Sequence, residues 1–140
     1  MANVFMHKTL KEAFSDYIIF LKVGNFCEAY DNDAKIISYL FNYKLRKLND
    51  TLNCVFPLVA INKVLSVLDR KSINYIVIDK AHNYEEEIKQ NYKRKNKYEE
   101  TLNEALKYTE KIDRIEKIKN HLMLDDKYLL DIERLLYEQK

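Results

Sequence analysis

A chain of 140 residues has room for one domain with a sizeable core and an appended element. An apolar share of 47% beside a charged share of 33% excludes a disordered polypeptide. A formal net charge of +2 excludes a strongly basic nucleic-acid sponge, but not a locally basic face. Cys27 and Cys54 form neither a disulfide framework nor a metal-ligand spacing. The first residues lack the apolar core of a signal peptide, and no apolar run approaches the roughly 18 residues that span a bilayer. A soluble, cytoplasmic chain is expected.

In chain order, Thr9-Leu10-Lys11-Glu12 matches a capping box and predicts a short helix to about Ser15, with Leu10, Phe14 and Tyr17 on its apolar side. Tyr17 to Val23 is apolar except at Lys22, as a strand covered on both faces requires. Gly24, the single glycine, and Asn25 predict a hairpin turn. In the strand that follows, alternation puts Cys27 and Ala29 on one face and Phe26, Glu28 and Tyr30 on the other, turned outward. An outward Phe two residues from a Glu reads either as a packed surface or as a wedge beside a hydrogen-bonding group.

Asp31-Asn32-Asp33 offers capping oxygens to a helix whose apolar face is Ala34, Ile37, Leu40 and Phe41. Tyr43 to Lys47 predicts a short strand carrying Lys44, Arg46 and Lys47, followed by a turn at Asn49-Asp50 and a strand from Asn53 to Phe56 that Pro57 ends. Ile61, Val64, Leu65 and Leu68 have helical spacing between Ala60 and about Arg70, and Tyr75-Ile76-Val77-Ile78 has the β-branched composition of a buried strand.

From Tyr84 to about Lys119 dense mixed charge without a breaker predicts one long helix or two in tandem. Asn120-His121 is a stop, and Asp125-Asp126 starts a last helix bearing Tyr128, Leu129, Ile132, Leu135 and Leu136. The expected fold is α/β: a small mixed β-sheet flanked by helices over residues 1–80, then a helical hairpin as an extension over residues 81–140. The apolar stripes of that extension require burial against the first domain, against each other or against a second copy.

Gly24-Asn25-Phe26-Cys27-Glu28-Ala29-Tyr30 resembles the Gly-Asp-Phe-Tyr-Glu signature of the N-terminal mismatch-recognition domain of the MutS mismatch repair family. The resemblance continues in order through the helix from Asp33 to Phe41, the basic Lys44-Leu45-Arg46-Lys47 segment, Val55-Phe56-Pro57 and the helix and strand up to Asp79-Lys80. It implies that Phe26 inserts beside a mispaired base and that Glu28 hydrogen-bonds to that base. An apolar wedge unstacks a base step at a cost of a few kcal/mol, and a mispaired step opens more easily than a paired one. Asn25, Cys27 and Leu58-Val59 stand where the family has Asp, an aromatic and Tyr-His. With one glycine the chain contains no Gly-rich nucleotide loop, so ATP hydrolysis is not expected. The leading expectation is a non-enzymatic module with no cofactor.

The partner implied is double-stranded DNA with a mismatch or distortion, contacted by Phe26 and Glu28 and, at phosphates, by Lys44, Arg46 and Lys47. A short basic run is more often a solvated edge that discourages strand pairing. The rival expectation is a protein-interaction module on the same scaffold, in which residues 84–136 dimerise or bind a protein. Lys89, Lys93, Arg94, Lys95 and Lys97 read as a solvated helix, and Tyr92 and Tyr98 as stripe packing or base stacking. His7, His82 and His121 lack metal-type partners, Cys27 reads as an inert core thiol, and Asp33-Ala34-Lys35 fits a capping turn better than a nuclease acid-x-lysine pair.

Overall fold

The computed structural model describes residues 2–121. Two compact units divide the chain, Met1–Leu106 and Lys107–Lys140. The first is built on a six-stranded mixed sheet in the order β3-β4-β2-β1-β5-β6. Its elements are α1 (Ala2–Ala13), β1 (Ile18–Val23), β2 (Phe26–Tyr30), α2 (Asp31–Phe41), β3 (Leu45–Leu48), β4 (Thr51–Pro57), α3 (Ile61–Arg70), β5 (Tyr75–Asp79), β6 (Glu85–Gln90) and the start of α4 (Tyr98–His121). Only β1 and β5 pair in parallel; every other neighbouring pair is antiparallel.

β1 lies between β2 and β5, and its alternation supplies both cores. Ile18 and Phe20 point into one, with Cys27, Ala29, Ala34, Ile37, Phe56, Val64, Leu68 and Tyr98. Ile19 and Leu21 point into the other, where Tyr17, Tyr30, Ile76 and Ile78 meet Val4, Met6 and Leu10 of α1. A strand buried on both faces must be apolar at every position, which explains its near-continuous run. Lys22 leaves the core at the strand's end and pairs with Glu87 at 2.8 Å.

Several sequence expectations are corrected. Thr9 does not cap a helix: α1 already begins at Ala2, and the Thr9 hydroxyl donates to the Phe5 carbonyl at 2.9 Å, one turn back. The long helix expected from Tyr84 is interrupted, because Glu85–Gln90 forms β6 on the edge of the sheet against β5. Backbone pairing with an exposed β5 edge, with a register shift between Val77 and Ile78, imposes a strand that Glu-Glu-Glu-Ile-Lys-Gln does not announce by composition. Lys89 therefore sits on a strand, 4.4 Å over the Phe14 ring, and Lys93–Lys95 forms a single 3-10 turn, not part of a helical cylinder. Of the second unit, residues 107–121 continue α4, with Arg114 paired to Glu110 at 2.7 Å. The helix expected after Asp125-Asp126, with Tyr128, Leu129, Ile132, Leu135 and Leu136, lies outside the described residues.

Candidate nucleic-acid interface

The β1–β2 hairpin forms as its turn residues require: Gly24 takes φ +60°, a left-handed value that an L side chain adopts only under strain. Val23 pairs with Phe26 across the turn, and Phe26 pairs on its other side with Pro57. The Leu58 amide donates to the Asn25 carbonyl at 2.9 Å, which ties the hairpin tip to the segment leaving β4. At this end of the sheet Phe26 is 51% exposed and Val59 94% exposed, beside an exposed Pro57. Phe26 thus has its backbone paired on both sides and about half of its surface in solvent.

Glu28 shares the Phe26 face, about 7 Å further along β2. It is half-buried, and its Oε2 accepts from the Tyr30 hydroxyl at 2.6 Å and from Asn3 Nδ2 at 3.5 Å. Asn3 Oδ1 accepts in turn from the Tyr84 hydroxyl at 2.8 Å. Burial, then the bond to Glu28, hold the Tyr30 phenol well above its ordinary value, so it remains a donor. The outward Tyr30 expected from alternation is thus corrected: it lies on the predicted face, but α1 covers that face there, and the ring packs edge-on against His7 at 5.3 Å.

The sheet brings Phe26 and Glu28 together and sets the basic residues apart. Arg46 pairs with Asn53, which pairs with Tyr30, so Arg46 lies on the same face as Phe26, about 13 Å along the strands and about 10 Å across them. Lys47, opposite Leu52, alternates to the other face, and Lys44 precedes β3; all three are exposed. Tyr43, placed in the strand by sequence, instead stacks on Phe56 with ring centroids 5.3 Å apart.

Asp33 is not a cap. α2 starts without a side-chain cap, and Asp33 is fully buried, accepting from His7 Nε2 at 2.9 Å, Lys11 Nζ at 3.0 Å, the Ile19 amide at 3.0 Å and the Tyr98 hydroxyl at 2.7 Å. Burial raises its pKa, but the His7 bond, the Lys11 charge and the Tyr98 bond outweigh burial and hold the carboxyl below its ordinary value. Four elements meet on this one carboxylate. A cleft of about 380 Å³ between α1 and the start of α2 opens over it, lined by His7, Lys11, Tyr30 and Asp31 among others. Asp33's acceptor sites are already filled within the fold, which leaves it no evident role toward a substrate. Tyr98 is core, so its ring is not offered for base stacking, while Tyr92 is half-buried and its hydroxyl donates to Asp69. Sequence reasoning missed the Asp33 cluster because its partners lie 14 to 65 positions away. The Glu28–Tyr30 bond was legible, since alternate residues of a strand share a face.

Among the described residues there is no group of three or more His, Cys, Asp or Glu side chains able to hold a metal, and no helix is long and apolar enough to cross a membrane. Over 70 residues, half of the chain, it is 31% identical to the DNA mismatch repair protein MutS of Thermotoga petrophila. That segment spans 9% of the relative's length. The family model of MutS domain I matches residues 4–101, from α1 through β6 into α4, and includes the hairpin, Phe26 and Glu28. The chain therefore belongs to the MutS domain I family, the mismatch-recognition module of MutS proteins.

Proposed function

We propose that this chain binds mismatched or distorted duplex DNA on its own, without a catalytic step, by inserting Phe26 at the weakened base step and contacting the displaced base with Glu28. The observation that carries this is the exposed Phe26 ring on a hairpin strand paired on both sides, with Glu28 about 7 Å away on the same face. Insertion of an apolar side chain selects steps that unstack cheaply, so deformability supplies the discrimination. Exposed Val59 and Pro57 extend the apolar tip beside Phe26. Arg46, on the Phe26 face, and Lys44 before β3 serve phosphates, whereas Lys47 alternates to the other face and reaches one only around the sheet edge. The roughly 16 Å from Phe26 to Arg46 corresponds to about five base-pair steps at ~3.4 Å per step.

The test is Phe26→Ala, assayed by titrating labelled matched and mismatched duplexes. Discrimination should fall by roughly 1–3 kcal/mol, the scale of one mismatched position, with the fold intact because an exposed ring is removed. Equal loss on both duplexes defeats the wedge. A second reading, a protein-interaction module working through the helical extension, is favoured by Ile112, Ile115 and Ile118, which are spaced three apart on one side of α4 and exposed or half-exposed. A scattering mass above the monomer, together with no DNA retention at low salt, supports that reading over the first.

A further inference from the structure

Glu28 is the polar side chain next to Phe26, and it is not free to swing. Both hydrogen bonds it receives fall on Oε2, from Tyr30 at 2.6 Å and from Asn3 at 3.5 Å, while Oε1 accepts none among the described residues. The Tyr84 hydroxyl donates to Asn3 Oδ1, which turns the Asn3 amino group toward the carboxylate. Tyr30 needs only its ring to fill the core beneath α1 and to pack on His7. Its hydroxyl adds nothing to that packing, and it reaches back two residues along β2 to the one acid on the exposed end of the face.

We infer that Tyr30 is a positioning residue for base recognition: with Asn3 behind it, its hydroxyl clamps one oxygen of Glu28, so that the other is presented beside Phe26 as a hydrogen-bond acceptor. The inference rests on the proposed mismatch reading and deepens it. A side chain with three rotatable bonds loses rotamer freedom on meeting a ligand, and a clamp made in the free protein removes that cost in advance. A carboxylate fixed as an acceptor favours a displaced base that turns a ring N–H toward it over one that turns only acceptors.

The test uses the full chain and two duplexes of one sequence, matched and carrying a single G·T pair, in which both bases offer a ring N–H. Wild type is compared with Tyr30→Phe, Glu28→Ala, the Tyr30→Phe/Glu28→Ala double variant, Asn3→Ala and Phe26→Ala. Tyr30→Phe keeps the ring and should lower the ratio of mismatched to matched affinity about tenfold, as expected for one hydrogen bond to a charged group. It should have no effect once Glu28 is alanine, because it acts only through that carboxylate. Asn3→Ala, which removes a longer bond at the surface end of the clamp, should lower the ratio about threefold and keeps the question answerable if Tyr30→Phe unfolds. If Glu28→Ala and Phe26→Ala lower the ratio while Tyr30→Phe and Asn3→Ala match wild type, the clamp is overturned and the mismatch reading stands. Equal losses from Tyr30→Phe with and without Glu28 also overturn it, as a merely structural role would give. If Glu28→Ala and Phe26→Ala leave the ratio unchanged, both fall together.

Discussion

Replacing Asp33 by Asn tests whether the first unit is held by one buried charge. The carboxylate is inaccessible and accepts four hydrogen bonds, two on each oxygen: Lys11 and Tyr98 on Oδ1, His7 and the Ile19 amide on Oδ2. An amide of the same shape sets its NH2 against one of those donor pairs, whichever way it turns, and leaves Lys11 without its counter-charge. Breaking a buried charged pair from one side costs about 3–5 kcal/mol. For a unit of this size, with an unfolding entropy that converts 1 kcal/mol into about 5 °C, Tm should fall on the order of 15–25 °C. The pH dependence gives a second readout. Because the folded-state pKa of Asp33 lies below the ordinary 3.8, the stabilisation is complete above that value and is lost as pH falls below it. Melts followed by circular dichroism from neutral pH into acid should show a steep acid limb in wild type and a shallower one in Asp33→Asn. A variant that melts within about 5 °C of wild type, or with a parallel acid limb, refutes the account of Asp33 as the hub.

Two further outcomes are expected. Replacing Lys44, Arg46 and Lys47 together by Ala should reduce the slope of log affinity against log salt by about 0.9 for each residue that touches a phosphate, and an unchanged slope returns them to a solvated edge. Burial pushes both Cys27 and Cys54 thiols up to about 12, so neither should react with a thiol reagent at neutral pH until the chain unfolds. Rapid labelling of the native protein at either position contradicts the burial of β2 and β4.

Local signals were legible where one residue type or one period decides the backbone. Gly24 marked the hairpin, Ile61, Val64, Leu65 and Leu68 marked α3, and the continuous apolar run marked β1 as central. Partners distant in sequence hid the rest. Within Glu85–Gln90 only Ile88 has strand-forming character: the residues are exposed or half-buried, and pairing with β5, with Lys22 on Glu87 and Lys89 on Phe14, holds the strand. Asp33 looked like a cap because Asp is common there, and only the approach of α1 and α4 reveals its role. In the interface, the order of residues put Phe26 and Glu28 side by side, whereas the reach from Phe26 to Arg46 depends on β4 lying between β2 and β3.

The two margins of the sheet carry opposite charge. β3 bears Arg46 and Lys47, and β6 bears Glu85, Glu86 and Glu87 against Lys89. Five strand spacings separate them, about 24 Å, so these two edge strands divide opposite charge across the sheet, with the basic Lys93, Arg94 and Lys95 following β6. A polyanion is attracted to the exposed cations of β3 and repelled by the Glu85–Glu87 run of β6, most strongly at low ionic strength.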